Sequence, residues 1–229
     1  MPVAGRHLLQ SLTQMRNRGN GKGGGIAAAG LDPAFFGTTL EVIENDYLLA
    51  VALLDQGAAA AVERDFVEPL FEVDHALTLP ALPDPTALGL EVPPPAVRCW
   101  FVRVRSDVRE RFLREHQVAP ADAHRVDDEI VYQNTYRLNR ALYASLGEKR
   151  AFVLSHGKNL LVLKLVGYGD DVVRTYRLED LHAHVWIGHH RYPTKGRVWH
   201  PGGAHPFLGM HEALVHNGDF ANYASIASY

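Results

Sequence analysis

The most informative part of the chain is the stretch Trp186-Ile-Gly-His-His-Arg-Tyr-Pro-Thr-Lys-Gly196, followed by Ala204-His-Pro-Phe207 and Ala213-Leu-Val-His-Asn-Gly-Asp219. In these stretches, apolar runs of the kind found in strands end in dense sets of polar and turn residues. Asn217-Gly218 predicts a tight turn, because both residues tolerate a positive φ. The pair also offers a side-chain amide next to an unobstructed backbone N–H, and two such donors can stabilise a tetrahedral oxyanion. From these residues alone, a β-hairpin turn and an oxyanion hole both remain open.

Composition excludes several classes of protein. The chain has 229 residues, of which 47% are hydrophobic and 21% charged, as is typical of a globular domain. A net charge of −3 gives no reason to expect nucleic acid or an anionic membrane as a partner. Neither a signal sequence nor a run of about 18 apolar residues is present, so we expect a soluble, cytoplasmic protein. The single cysteine, Cys99, excludes an intramolecular disulfide and a paired-cysteine metal site.

The N-terminal part predicts a helix and then a buried strand. Residues 6–17 have apolar side chains at helical spacing, and Gly24–Leu31 is a run of small residues. Between them, Gly19, Gly21 and Gly24 have the spacing of a dinucleotide-binding loop. That loop follows a strand and precedes a helix, whereas here the order is reversed. The glycines are therefore interpreted as positions where two backbones approach closely.

The middle of the chain, residues 32–126, is interpreted as an irregular insertion. It contains a predicted helix over Glu44–Gln56 and six prolines within Leu77–Pro95, which predict an extended surface connection. A strand over Val97–Val104 and a charged helix over Val108–Gln117 follow. Cys99 lies in the strand pattern and is interpreted as a small buried hydrophobic residue.

The remaining segments complete an α+β pattern. A long helix is predicted from Asp127 or Asp128 to Leu146, where Gly147 ends it. Ala151–Ser155 and Asn159–Val166 predict the two arms of a β-hairpin. We therefore expect one domain over residues 1–229, with helices packed on largely antiparallel sheets.

Four motifs together resemble one family, the class II glutamine amidotransferase domain. They are Gly188-His-His-Arg-Tyr-Pro-Thr-Lys-Gly196, Ala204-His-Pro206, Ala213-Leu-Val-His-Asn-Gly218 and Met15-Arg-Asn-Arg-Gly-Asn-Gly-Lys-Gly-Gly-Gly-Ile26. Arg-Tyr-Pro-Thr makes the chain most similar to glutamate-synthase-type members. The resemblance implies the four-layer αββα sandwich of N-terminal-nucleophile hydrolases. It also implies hydrolysis of glutamine to glutamate and ammonia, a synthase domain or subunit that accepts the ammonia, and no cofactor or metal.

The resemblance assigns substrate-binding roles one residue at a time. Arg191 would bind the α-carboxylate of glutamine, a task that suits the planar guanidinium group. Thr194 would hold the same end of the substrate. His205 would brace the loop of the site rather than act as a base, and Arg18 with Gly19 would shape the floor of the site.

The resemblance also assigns the oxyanion hole but leaves the nucleophile absent. The side-chain amide of Asn217 and the backbone N–H of Gly218 would stabilise the oxyanion. The family nucleophile is a cysteine at the mature N-terminus, with its own α-amino group as the base. Here the chain opens with Met1-Pro2, and Cys99 lies behind the helix and strand that it should precede. We therefore expect a chain that is incomplete at both ends, or a degenerate member, and inactive alone.

Two other functions remain as alternatives. A relative without catalytic activity could bind glutamine or contact another subunit. A metal site is the other, because eight of the 13 histidines lie between His182 and His216. His182 and His184 share one face of a predicted strand. However, His189 and His190 are expected on opposite faces, and no acidic residue or cysteine lies at a matching position.

Overall fold

The computed structural model describes residues 1–144, 147–192, 200–218 and 222–228, which form a mixed α+β structure of antiparallel sheets and helices. In chain order, its strands and α-helices are β1 (Val3–Ala4), α1 (Gly5–Gln14), β2 (Gly24–Leu31), α2 (Pro33–Phe36), α3 (Leu40–Asn45), β3 (Tyr47–Leu53), α4 (Ala58–Val62), β4 (Phe71–Thr78), β5 (Ala96–Val104), α5 (Ser106–Glu115), α6 (Val126–Leu142), β6 (Ala151–Ser155), β7 (Leu160–Leu165), α7 (Gly169–Thr175), β8 (His182–His190), β9 (Phe207–Leu208), β10 (Ala213–Leu214) and α8 (Tyr223–Ala227). In the described part of the chain, no helix is both long and apolar enough to cross a membrane.

The first sheet has the strand order β1–β8–β2–β7, with all pairs antiparallel. Its central strand, β2, consists of small residues, and α1 and α7 pack closely on one face. A side chain at Gly24 would overlap the backbone of Tyr168, and one at Gly188 would overlap the side chain of Leu12. Gly19, Gly21 and Gly24 were interpreted as positions where two backbones approach closely, and this interpretation is confirmed at Gly24.

The second sheet has the strand order β4–β5–β3–β6. All seven residues of β3 are buried, and they alternate between two apolar clusters. Leu48 and Ala50 join a cluster with α1, α7 and one face of the first sheet, whereas Leu49 and Val51 pack with α5 and α6. This sheet is therefore covered with apolar contacts on both faces.

The predicted helix over Glu44–Gln56 is wrong. The helix α3 ends at Asn45, and the run that follows is the strand β3. A strand buried on both faces has no alternation of apolar and polar residues, so its pattern resembles that of a buried helix. The run forms a strand because it pairs with β5 on one side and with β6 on the other.

The interpretation of residues 32–126 as irregular is also wrong, because they supply β3, β4 and β5 of the second sheet. The proline-rich part is nevertheless extended: between Thr78 and Ala96 it contains one short 3₁₀ turn, Pro85–Leu88. Cys99 lies within β5 and is fully buried, as predicted. Burial raises the pKa of its thiol to about 12, so it is a poor candidate for a reactive thiolate.

The predicted hairpin over residues 151–166 is wrong as well. Both arms are strands, but β6 pairs with β3 in the second sheet and β7 pairs with β2 in the first. The connection over residues 156–159 therefore passes from one sheet to the other. The preceding helix, α6, is present as predicted but ends at Leu142, and residues 145–146 lie outside the described part.

Candidate functional site

The candidate site lies on the face of the first sheet opposite α1 and α7. Gly25 in β2 pairs with Lys164 of β7 on one side and with His189 of β8 on the other. Paired residues of an antiparallel sheet share a face, so the two side chains flank Gly25. The backbone oxygen of His205 lies directly over Gly25, where a Cβ atom would come within 2.0 Å of it. The glycine thus lets the chain from residue 204 onward pack onto the sheet.

A hydrogen bond joins the strand β8 to the predicted oxyanion residue. His189 Nε2 lies 2.5 Å from Asn217 Oδ1. Since an amide oxygen only accepts, the imidazole donates, and the NH₂ group of Asn217 is left to donate elsewhere. Burial lowers the pKa of His189, whereas the hydrogen bond with Asn217 acts in the opposite direction, because the imidazole Nε2–H can donate in the neutral and in the charged ring. The other ring nitrogen, Nδ1, is buried without a hydrogen-bond partner among the described residues.

His205 packs between two aromatic rings. Its ring centroid lies 4.8 Å from that of His189 and 4.5 Å from that of Phe207. Burial, followed by the nearby His189 and Lys164, lowers the pKa of His205 to about 4. At neutral pH the ring is uncharged and is a weak base.

Arg191 follows β8 and is fixed by the glycine-rich turn before β2. Its backbone N–H donates to Gly23 O at 2.8 Å, and its backbone oxygen accepts from Asn20 N at 3.0 Å. Arg18 is exposed in a 3₁₀ turn, Arg16–Arg18, and the next residue, Gly19, abuts His190. Arg18 and Arg191 therefore lie at the same end of the first sheet.

The structure brings several predicted residues together. Asn217, with Gly218 next to it, contacts β8 through His189, and His205 packs against the same histidine. Asn217 and Gly218 are exposed at the surface. Thr194 lies outside the described residues.

His190 points to the opposite face of the sheet from His189, as predicted. Its Nε2 donates to Leu12 O at 2.8 Å, and its Nδ1 accepts from Gly169 N at 3.0 Å. His182 Nδ1 is 3.9 Å from Asp32 Oδ2 at the far end of β8. Within the described ranges, no three His, Cys, Asp or Glu side chains are grouped so that they could hold a metal ion.

Lys164 is a residue of this face that the sequence analysis missed. Its side chain is only 5% exposed, and its Nζ lies 4.7 Å from the centroid of the Phe207 ring. Burial lowers the pKa of the amine to about 8. The available signal was a single charged residue within the apolar run Leu160–Val166.

The outer edge of β8 is largely unpaired in the described structure. β1 pairs with only its first two residues, His182 and Ala183. From His184 to His190, no described strand hydrogen-bonds to that edge. The open edge runs up to the level of the His189–Asn217 contact.

Comparison with known proteins gives one distant similarity and no family. No family model matches the chain. The chain is 28% identical over 228 residues to an uncharacterized protein of Archaeoglobus fulgidus. This similarity covers 99% of the chain and 52% of the relative, so the chain spans about half the length of the relative that it matches.

Proposed function

We propose that the chain is part of the glutaminase domain or subunit of a class II amidotransferase, similar to that of glutamate synthase. It would hydrolyse glutamine to glutamate and ammonia and deliver the ammonia to a synthase domain or subunit. The observation that carries the proposal is the hydrogen bond from His189 to Asn217, because it leaves the amide NH₂ of Asn217 to donate to a substrate. The antiparallel sheets with packed helices are compatible with a four-layer N-terminal-nucleophile sandwich.

In this proposal, each predicted residue has a physical task. The Asn217 amide and the Gly218 N–H stabilise the oxyanion; both residues are exposed in this chain, so each donor would be worth about 3 kcal/mol of barrier only when bound substrate excludes water from the site. His189 orients the amide of Asn217. Arg191, with Thr194, binds the α-carboxylate of glutamine. The neutral ring of His205 packs the loop against the sheet.

Arg18 belongs to the same proposed site, where it shapes the floor rather than binds the substrate. It precedes Gly19, which packs against His190 next to Arg191. We assign the Arg18–Gly19 turn to the floor of the glutamine site.

The open edge of β8 suggests how a longer chain would supply the nucleophile. Val3 pairs with Ala183 and Ala4 with His182 in an antiparallel register. Continued backwards, this register pairs the fourth residue before Met1 with His189. A cysteine in that position would share the face of His189 and Asn217. Its thiolate would attack the carboxamide carbon of glutamine, ammonia would leave, and water would hydrolyse the thioester to glutamate.

The test is glutaminase activity of a protein that includes the coding sequence upstream of Met1, beginning at an in-frame Met-Cys. Asn217→Ala should lower kcat/KM for glutamate release at least a hundredfold, because one oxyanion donor is lost. Asn45→Ala, an exposed asparagine on α3, is the matched control and should change kcat/KM less than twofold. A loss below tenfold with Asn217→Ala would remove this residue from the oxyanion hole.

A glutamine-binding or subunit-interaction module without catalysis is the second candidate. It is favoured by one observation: Cys99 is buried in the second sheet, and its thiol pKa is raised to about 12. Absence of an in-frame Met-Cys upstream, together with calorimetric binding of glutamine that Arg191→Lys weakens, would support the module. Glutamate release by the extended protein would exclude it.

A further inference from the structure

We infer that the cavity beside Phe207 is a binding site for a small organic monocarboxylate, whose charge Lys164 balances. The inference does not rest on the proposed glutaminase function, because Arg191 and Asn217 do not line this cavity, although Lys164 lies on the same face of the first sheet as His189.

The cavity has a volume of about 250 Å³ and lies between α6, the strands β6 and β7, and the segment from Gly202 to Leu208. Its walls combine aromatic rings with a few polar groups. The polar side chains that line it are Thr135, Asn139, Tyr143, His156 and Lys164. Such a combination of apolar walls and few polar groups is typical of small-molecule sites, and this volume is below that of a drug-sized pocket.

Lys164 is the only charged residue among those that line the cavity. Lys164 is 5% exposed, and burial is the one cause of the shift in its pKa, with no contribution from an acidic or hydrogen-bonding partner among the described residues. The Phe207 ring, 4.7 Å from Nζ, supplies a cation–π contact but no counter-charge. Burial lowers the pKa of the amine only to about 8, so most molecules carry the charge at neutral pH. A buried charge without an anionic partner is costly, and an anionic ligand would reduce that cost.

The other polar groups are neutral and partly engaged. Thr135 Oγ1 lies 2.6 Å from His156 Nδ1, and burial lowers the pKa of His156 to about 4. Asn139 Oδ1 accepts from Val153 N at 2.8 Å, which leaves the NH₂ group of Asn139 to donate to a ligand. The cavity thus offers one positive charge and a neutral donor.

This arrangement fits a monocarboxylate better than a phosphate. A single ammonium balances one negative charge, whereas a dianion would remain with an excess charge in a buried place. The rings of Tyr143, Phe152 and Phe207 provide walls for an apolar body next to the carboxylate. We therefore expect affinity for a small carboxylic acid rather than for inorganic phosphate.

The test compares benzoate with benzamide, a neutral molecule of nearly the same shape, on the full chain in low-chloride buffer. Titration calorimetry and thermal unfolding should show that benzoate binds and raises Tm, and that benzamide and inorganic phosphate do so at least tenfold more weakly. Lys164→Met should lower the benzoate affinity at least tenfold without lowering Tm, because it removes an unbalanced buried charge. Lys158→Met, which alters a lysine that packs on Tyr47 outside the cavity, is the matched control and should retain full affinity.

A second variant protects the test against misfolding. Asn139→Asp keeps an oxygen for the Val153 hydrogen bond and places a carboxylate in the wall of the cavity. It should abolish benzoate binding by supplying the counter-charge from the protein itself. The inference is overturned if wild type binds neither benzoate nor acetate in preference to the matching amide. It is equally overturned if Lys164→Met binds benzoate as wild type does.

Discussion

Substitution of Gly25 by alanine should destabilise the protein more than any ordinary glycine replacement. The added Cβ would lie 2.0 Å from the backbone oxygen of His205 and 2.8 Å from Cδ of Pro206. An ordinary contact begins at 3.4 Å, so the segment over the sheet must move by about 1.4 Å. The strand β2 cannot move instead, because it is hydrogen-bonded to β7 on one side and β8 on the other.

The expected cost is about 3 kcal/mol, the upper end of what overpacking costs, because both clashing groups belong to the backbone or a rigid ring. For a chain of this length that corresponds to a decrease in Tm of about 6–12 °C. Urea unfolding followed by circular dichroism measures the free energy directly. Gly209→Ala is the matched control: its nearest neighbour would be 3.8 Å away, so stability should remain within about 0.5 kcal/mol. If Gly25→Ala lowered the free energy of unfolding no more than Gly209→Ala does, the close packing of His205 on β2 would be refuted.

Two further predictions concern the buried side chains of His156 and Cys99. Burial lowers the pKa of His156 from 6.5 to about 4, so the stability it contributes is complete above pH 6.5 and is lost as the pH falls towards 4. Between pH 7.5 and pH 5, the unfolding free energy of wild type should therefore fall about 2 kcal/mol more than that of His156→Gln; equal decreases would contradict the burial of a neutral ring. The thiol of Cys99 is 0% exposed and its pKa is raised to about 12, so a disulfide reagent should modify it only at the rate of unfolding. Rapid modification of the native protein would contradict this placement.

The sequence predicted elements whose evidence is local. The strand predicted over Gly24–Leu31 has the same bounds in the structure. The strand over Val97–Val104 was found one residue longer. In contrast, β3 was predicted as a helix, since the run Tyr47–Leu53 is apolar on both faces and carries no period.

The pairing of the strands was harder to predict from the sequence than the strands themselves. Ala151–Ser155 and Leu160–Leu165 are separated by four residues, a spacing that favours a hairpin. Their partners, β3 and β2, are far away in the sequence, and the apolar contacts of both sheets decide the pairing. No local pattern carries that information.

In the candidate site, too, local patterns predicted some features and long-range contacts decided the others. Strand alternation placed His189 and His190 on opposite faces, and the structure agrees. The contact between His189 and Asn217 was not predicted, because it depends on how the chain folds back across the sheet after residue 204. The burial of Lys164 has no local signal, because a long charged side chain in a strand can usually extend its amine to solvent.

The separation of β6 and β7 also sets the order in which the chain can fold during synthesis. β3 to β6 come from one continuous part of the chain, residues 47–155, so the second sheet can form as soon as that part has left the ribosome. The first sheet must wait, because Ala29 of β2 pairs with Leu160, and the β8 partners of β2 are translated later still. Until then β2 is an apolar segment with two unpaired edges, which is a recognised substrate for aggregation and for chaperones. A chaperone that shields β2 until β7 and β8 are available should therefore raise the refolding yield of this chain.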